Sequence, residues 1–246
     1  MTTIDGKLQL VRRRIAAACA TAGRDPGAVR LLAVSKTFGA EAVIEAVLAG
    51  QHAFGENYIQ EGLGKIEALR QWQAANGSRC AALEWHCIGP VQSNKTRLVA
   101  ENFDWVQSVD RLKIAQRLSE QRPHHLPPLQ ICLQVNIDGG RNKSGCFPDE
   151  VQALALEVAR LPRLALRGLM AIPEPAIDFV AACTVHKRVR GLFEQINSAG
   201  GLARPMDTLS MGMTADMEAA IHAGSTMVRV GTAIFGLRAL LAPASA

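Results

Sequence analysis

Two hydrophobic periods alternate along the chain. Short runs that are apolar on consecutive positions, at 31–35, 52–54, 84–88, 105–108, 130–136, 165–170, 208–210 and 226–230, predict buried strands. The stretches between them, near 39–49, 58–75, 93–101, 111–121, 149–160, 178–199 and 214–222, carry the 3.6-residue period of helices. A short helix is expected after Thr232, and an amphipathic stretch over 7–21 precedes the first strand. Strands apolar on successive positions, each followed by a helix, imply a parallel sheet covered on both faces. Eight such units predict a single (β/α)8 TIM-type barrel with an extra N-terminal helix, one domain over 1–246 with the barrel proper at about 30–236. The competing open doubly wound sheet lacks support. Its phosphate loop should follow the first strand, and Ser35-Lys36-Thr37-Phe38-Gly39 has neither G-x-G-x-x-G nor Walker spacing.

Several element ends have chemical signatures. Asp110 can cap a helix starting at Arg111, and Thr214 the helix over 214–222. Pro148 suits a first helical position, with Asp149 and Glu150 facing the positive end of the dipole. Gly50 and Gly224 follow helices, as C-terminal caps do. The alanine-rich end, 237–246, is expected to fray.

Composition then narrows the function. With 48% hydrophobic and 20% charged residues, the chain is neither disordered nor collagen-like. The net charge of +5 is scattered, and Arg12, Arg13 and Arg14 form the one run of three. A solvated helix face accounts for that run, and Trp72, Trp85 and Trp105 form no stacking platform, so no nucleic acid partner is expected. A weakly positive chain suits a small anionic ligand. The six cysteines include no C-x-x-C pair and no zinc-finger histidine spacing, which predicts reduced, buried thiols in a cytoplasmic protein and no metal. His124-His125 lacks nearby carboxylates, and His186 and His222 read as surface or half-buried helix residues. No stretch approaches the roughly 18 apolar residues of a membrane helix, and residues 1–10 carry no signal core.

In a barrel, reactive groups sit at the C-terminal ends of strands, and phosphate sites often follow strands seven and eight. Three places fit. Lys36 ends the first strand run on the face shared by Leu32 and Val34; a lysine beside apolar walls loses solvation, which favours the neutral, nucleophilic amine. A lysine that merely snorkels at a strand end is the bland alternative. Arg229-Val230-Gly231-Thr232 follows the eighth run and offers backbone amides at a helix start. Ser210-Met211-Gly212-Met213-Thr214 follows the seventh and offers a hydroxyl beside a flexible glycine. Together they suggest a phosphorylated aldehyde held as a Schiff base, with pyridoxal 5′-phosphate (PLP) and a sugar phosphate as the two candidates.

Those residues also carry a resemblance. Ala33-Val34-Ser35-Lys36-Thr37, Phe54-Gly55-Glu56-Asn57-Tyr58, the run from Trp85 through Gly89-Pro90 to Lys95, Arg167-Gly168-Leu169-Met170, and Arg229 through Gly231-Thr232 to Gly236 resemble the pyridoxal phosphate homeostasis protein family. That family is itself similar to the N-terminal barrel of alanine racemase. The resemblance implies PLP as cofactor and Lys36 as its Schiff-base lysine. It implies Ser210, Gly231 and Thr232 at the phosphate and Arg229 at the pyridine nitrogen. Asn57 would lie near the ring, with Met211 and Met170 as apolar neighbours, although a core role explains either methionine equally well. His86 lies in a shared motif, though a hydrogen-bonded strand histidine explains it equally well. Lys143, in a loop with glycines where relatives often carry an acidic residue, reads as a possible secondary contact or an exposed lysine.

The resemblance further implies storage, buffering or delivery of PLP without substantial turnover, and apo PLP-dependent enzymes as possible partners. An arginine opposite the pyridine nitrogen makes the ring a poor electron sink. Racemase relatives supply a second base, a tyrosine, from a further β-domain, and this chain is expected to lack that domain and therefore to be a monomer. Its sole tyrosine, Tyr58, has no evident claim to the role. The alternatives are a PLP-dependent amino-acid racemase or decarboxylase-like enzyme, and a Schiff-base aldolase.

Overall fold

A computed structural model describes residues 3–76, 82–140 and 143–236; Cys80 and the 237–246 segment lie outside them. The strands are β1 (Arg30–Val34), β2 (Ala53–Glu56), β3 (Glu84–Cys87), β4 (Trp105–Val109), β5 (Leu129–Val135), β6 (Leu164–Ala171), β7 (Thr208–Ser210) and β8 (Met227–Val230). Each pairs in parallel with the next, and β8 pairs with β1, closing the barrel. The connecting helices are α2 (Ala40–Leu48), α3 (Ile59–Asn76), α4 (Thr96–Asn102), α5 (Leu112–Gln121), α6 (Val151–Ala159), α7 (Phe179–Ser198) and α8 (Met217–His222), with the short α9 (Thr232–Phe235) after β8. Before them, α1 (Ile4–Thr21) buries Ile4, Leu8, Val11 and Ile15, a helical stripe that packs on α8, α9 and α2. A short 3-10 turn, Pro26–Ala28, is an element the hydrophobic pattern did not predict; the Asp25 side chain accepts from the Gly27 amide.

Strand period sorts the side chains into two compartments. Ala33, Phe54, Trp85, Val106, Leu133 and Leu169 point outward and merge with the helices into the main core. Burying a side chain such as Phe54 or Leu133 there contributes about 1.5–3 kcal/mol. The inward set forms two smaller apolar clusters, Leu32, Val34, Ala53, Ile88 and Met227 on one side, and Trp105, Cys132 and Met170 on the other. Between them runs a polar column. The Ser210 hydroxyl donates to Gln107 Oε1 (2.6 Å), and the Gln107 amide donates to His86 Nδ1 (2.8 Å). His86 Nε2 in turn donates to Glu84 Oε1 (2.7 Å), which also accepts from Arg30 (2.8 Å).

Burial pushes the pKa of His86 down, against the raising pull of the Glu84 carboxylate. Burial alone would raise the pKa of Glu84, but the hydrogen bond and charge of His86, with the charge of Arg30, outweigh it and hold the carboxyl at about 2. His86 therefore belongs to the barrel interior, stacked on Trp105 at 5.1 Å between ring centroids.

Three expected helix starts are displaced. α5 is preceded by Arg111, and Asp110 pairs with that arginine instead of capping. α6 starts after Glu150, whose carboxylate accepts from the Phe147 amide, so Pro148 lies in the preceding turn. α8 starts after Asp216, leaving Thr214 in the loop. Gly50 and Gly224 do end α2 and α8, with φ of +76° and +101°. The five described cysteines are buried and unbonded, and burial pushes the thiols of Cys87, Cys132 and Cys146 up to about 12. His186 is fully buried against Asp216 (2.9 Å), not half-exposed as its helix position suggested. Among the described residues no helix is long and apolar enough to cross a membrane, and no three His, Cys, Asp or Glu side chains gather as metal ligands would.

Candidate functional site

A cleft of about 690 Å3 opens at the C-terminal ends of the strands, within the roughly 300–1,000 Å3 span of small-molecule sites. Of the seven residues singled out from sequence, five line it: Lys36, Asn57, Arg229, Gly231 and Thr232. Each sits within two residues of a strand end, on β1, β2 or β8. Val34, Ile88 and Ile172 supply apolar wall from the ends of β1, β3 and β6.

Lys36 lies in a turn two residues beyond β1 and is exposed, so it is not enclosed by the apolar walls its strand register suggested. Its side chain has no hydrogen-bond or ion-pair partner among the described residues.

Arg229 is the opposite case. It is 4% exposed, and its guanidinium donates to the Ser210 carbonyl (2.6 Å), the Ser210 hydroxyl (2.8 Å) and the Ala171 carbonyl (2.9 Å). All of these acceptors are neutral. Burial lowers the pKa of Arg229 to about 10, which leaves it cationic at neutral pH with no carboxylate bonded to it among the described residues. The charge of Asp216 acts on it without a bond, so the cleft floor carries a positive charge with no ion-pair partner among the described residues.

Asn57 follows β2, and its Oδ1 is buried without a hydrogen-bond partner. Its main chain is pinned from the next strand: a Cβ at Gly89 would stand 2.0 Å from the Asn57 carbonyl oxygen, so only glycine fits there. Gly231 is less tightly confined, with Val34 O 3.0 Å from where its Cβ would be, and it precedes α9. The first amides of that helix have no intrahelical acceptor.

Two expected residues do not reach the cleft. Met211 is fully buried in the main core with Met217, Ala220 and Val228, because strand alternation turns it outward toward the helices. Ser210 points inward but one layer too deep, and it meets the cleft only through Arg229. Met170 is likewise inward and buried, and Ile172, two residues on, is the one that lines the cleft.

Thr214 lines the cleft although the sequence reading gave it a capping role. Its loop is held by the Met213 amide donating to Asp216 Oδ1 (2.7 Å) and by Arg14 of α1 donating to the Thr214 carbonyl (3.0 Å). A hydroxyl residue two positions beyond Gly212, after the seventh strand, was the signal available for it. Tyr58, to which the sequence gave no evident claim to the role of second base, also lines the cleft. Lys143 pairs with Asp138 (2.8 Å) and Glu174 (2.9 Å) and is not on the cleft wall.

The model of the alanine racemase N-terminal domain family matches residues 7–239. A pyridoxal phosphate homeostasis protein of Pseudomonas aeruginosa is 55% identical over 245 residues, covering 100% of both chains. That of Escherichia coli K12 is 51% identical and covers 97% of this chain and 98% of its own. Among solved structures, PipY of Synechococcus elongatus PCC7942 with PLP bound is 32% identical, with a TM-score of 0.75 over 90% of this chain and 100% of that one. A protein of unknown function from Bifidobacterium adolescentis superposes with a TM-score of 0.87 at 36% identity, over 94% of each chain. Alanine racemase of Clostridium difficile 630, at 15% identity and a TM-score of 0.67, shares the fold. The chain belongs to the pyridoxal phosphate homeostasis protein family, built on the alanine racemase N-terminal barrel.

Proposed function

We propose that the chain binds pyridoxal 5′-phosphate in this cleft through a Schiff-base linkage to Lys36, and that it stores, buffers or delivers the cofactor without substantial turnover. One observation carries the reading: among the described residues, a lysine without a partner, a buried arginine without an ion pair and a buried amide oxygen without a hydrogen bond converge on one cleft. That donor set fits the cofactor, which offers an aldehyde, an anionic phosphate and a ring hydroxyl. When bound, PLP supplies an aldehyde that condenses reversibly with an amine and releases water. Lys36 provides the amine. Gly231, Thr232 and Thr214 would hold the phosphate, and Arg229 would add positive charge to the floor on the side of the pyridine nitrogen. Ser210 acts indirectly, by fixing Arg229. Asn57 accepts from the ring hydroxyl, and Met211 takes no direct part.

The carrier reading draws support from what lines the cleft. Among the described lining residues none is a carboxylate, imidazole or thiol, so proton transfer falls to Lys36 and Tyr58. The cation of Arg229 disfavours ring protonation and weakens the ring as an electron sink. Tyr58 on the same cleft as Lys36 is the single observation favouring a racemase or decarboxylase-like enzyme. The 50–55% identical relatives named as homeostasis proteins favour the carrier. We further propose a cytoplasmic monomer that passes PLP to apo PLP-dependent enzymes.

The test is an absorption spectrum with added PLP before and after borohydride, followed by peptide mass mapping. A long-wavelength band fixed by reduction onto Lys36, and absent in Lys36→Ala, is expected. A protein that stays unlabelled sinks the proposal. Turnover of an amino acid that disappears in both Lys36→Ala and Tyr58→Phe would replace the carrier with an enzyme.

A further inference from the structure

Behind the Lys36 turn lies a buried ionic cluster that the proposed binding does not use. Lys65, on α3, is 5% exposed in its side chain, and its ammonium donates to three oxygens: the Ser35 carbonyl (2.7 Å), Glu56 Oε1 (2.7 Å) and Glu61 Oε1 (2.6 Å). The Ser35 hydroxyl adds a bond to Glu56 Oε1 (2.6 Å), and the Thr37 amide donates to Glu61 Oε1. The Ser35 carbonyl belongs to the peptide unit before Lys36, and the Thr37 amide to the one after it. Both peptide planes that bracket the Lys36 Cα are therefore bonded to one helix, while the Lys36 side chain itself has no partner among the described residues.

Thr37 shows why a clamp is needed. Its φ is +69°, the left-handed region that a β-branched residue rarely enters. Such a conformation persists when surrounding contacts over-determine it. Ion pairs of this depth contribute little net stability compared with an apolar replacement. Glu56 even keeps Oε2 buried and unpartnered, and burial raises its pKa. Stability alone is a weak account of the cluster; fixing a direction is a better one.

We propose that Lys65 and Glu61 are positioning residues that aim Lys36 into the cleft by holding the peptide units on either side of it, with Glu56 buttressing Lys65. This inference rests on Lys36 being the attachment point. The variants are Glu61→Ala, which removes the acceptor, and Glu61→Gln, which keeps one for the Thr37 amide; Lys65→Met tests the other arm. Thermal unfolding by circular dichroism is recorded beside the rate and extent of the long-wavelength band on adding PLP, with borohydride capture mapped by mass.

Glu61 is partly exposed near the start of α3, so both Glu61 variants are expected to fold. Glu61→Ala should slow capture at Lys36 by about tenfold, the equivalent of one net hydrogen bond, and Glu61→Gln should stay near wild type. A folded Glu61→Ala protein that is captured at the wild-type rate and extent overturns the inference. An equal loss in Glu61→Gln also overturns it, by assigning the effect to charge. Should Lys65→Met fail to fold, the Glu61 pair decides alone. A wild-type protein captured elsewhere than Lys36 removes the earlier reading and this one together, whereas wild-type capture at Lys36 with indifferent Glu61 variants removes only this one.

Discussion

The two ends of the barrel treat charge in opposite ways. At the base, where strands begin, Arg30 meets Glu84 at 2.8 Å and Arg167 meets Asp207 at 2.6 Å. At the mouth, Lys36 and Arg229 have no carboxylate partner among the described residues. Burial should make such an unmatched cation costlier at the mouth than a paired one at the base, yet Arg229 is the more buried residue. A charge matched within the fold serves the fold. Arg122, after α5, is as buried and likewise bonds only neutral acceptors, the carbonyls of Ala100, Phe103 and Pro127, so what sets Arg229 apart is its place on the cleft at the C-terminal ends of the strands.

The sharpest way to break this contrast is Arg229→Met. It removes the cation and its three bonds while keeping comparable volume. PLP affinity, measured by equilibrium dialysis, should fall about ten- to a hundredfold, the worth of charge-assisted hydrogen bonds. The fold should survive, because losing an unmatched buried charge offsets part of the lost bonding. Unchanged affinity would make Arg229 one more structural arginine and erase the distinction.

Arg167→Ala probes the other end. Arg167 grips Asp207 with two nitrogens, donates to Gln130 (2.7 Å) and lies over the Trp105 ring at 5.0 Å. Its loss should cost about 1–2 kcal/mol in urea unfolding, since the pair is partly exposed, and leave PLP affinity unchanged.

Acid should act through the base as well. His86 is held below its ordinary pKa by burial, so under about pH 6.5 the unfolded chain takes up a proton that the folded chain refuses, and stability falls. Glu84 is held at about 2 against an ordinary value of about 4.3; its contribution is complete above the latter and lost as pH drops through the former. Both act in the same direction. Stability to urea should decline from about pH 6.5 toward 2, and Glu84→Gln should flatten the lower part of that limb without altering PLP capture at pH 7.

The same contrast marks how far sequence reading reaches. All eight strands and every helical stretch were legible, because two-residue and 3.6-residue periods are imposed by burial in successive layers. The five cleft residues that lie at strand ends were legible for the same reason. Met211, for which cofactor neighbour and core residue were both open, lies in the core; a motif match carries no parity, and one step along a strand reverses the face. The helix starts at Asp110, Pro148 and Thr214 were misread because Arg111 engages the Asp110 carboxylate, while Glu150 and Asp216 accept from the Phe147 and Met213 amides and extend the preceding turns. Nothing in one dimension shows that Lys65 and Glu61 reach back to the peptides around Lys36, more than twenty residues earlier, or that Tyr58 turns into the cleft.

The smallest expected effect tests the mouth where the sequence reading was least complete. Thr214 stands on the cleft wall in a loop that Asp216 and Arg14 already hold in place, so its hydroxyl is not needed to cap α8. If the base–mouth contrast is right, a polar group the fold does not use is there for the ligand. Thr214→Ala should leave thermal stability within the range of neutral surface changes, about ±0.5 kcal/mol. It should weaken PLP binding about three- to tenfold, one neutral hydrogen bond to the phosphate. Thr214→Ser keeps the hydroxyl and should restore affinity, and pyridoxal, which lacks the phosphate, should bind both variants alike. Were Thr214→Ala instead to destabilise the chain while sparing PLP affinity, Thr214 would belong with the base, and phosphate recognition would rest on the amides of α9 and the charge of Arg229.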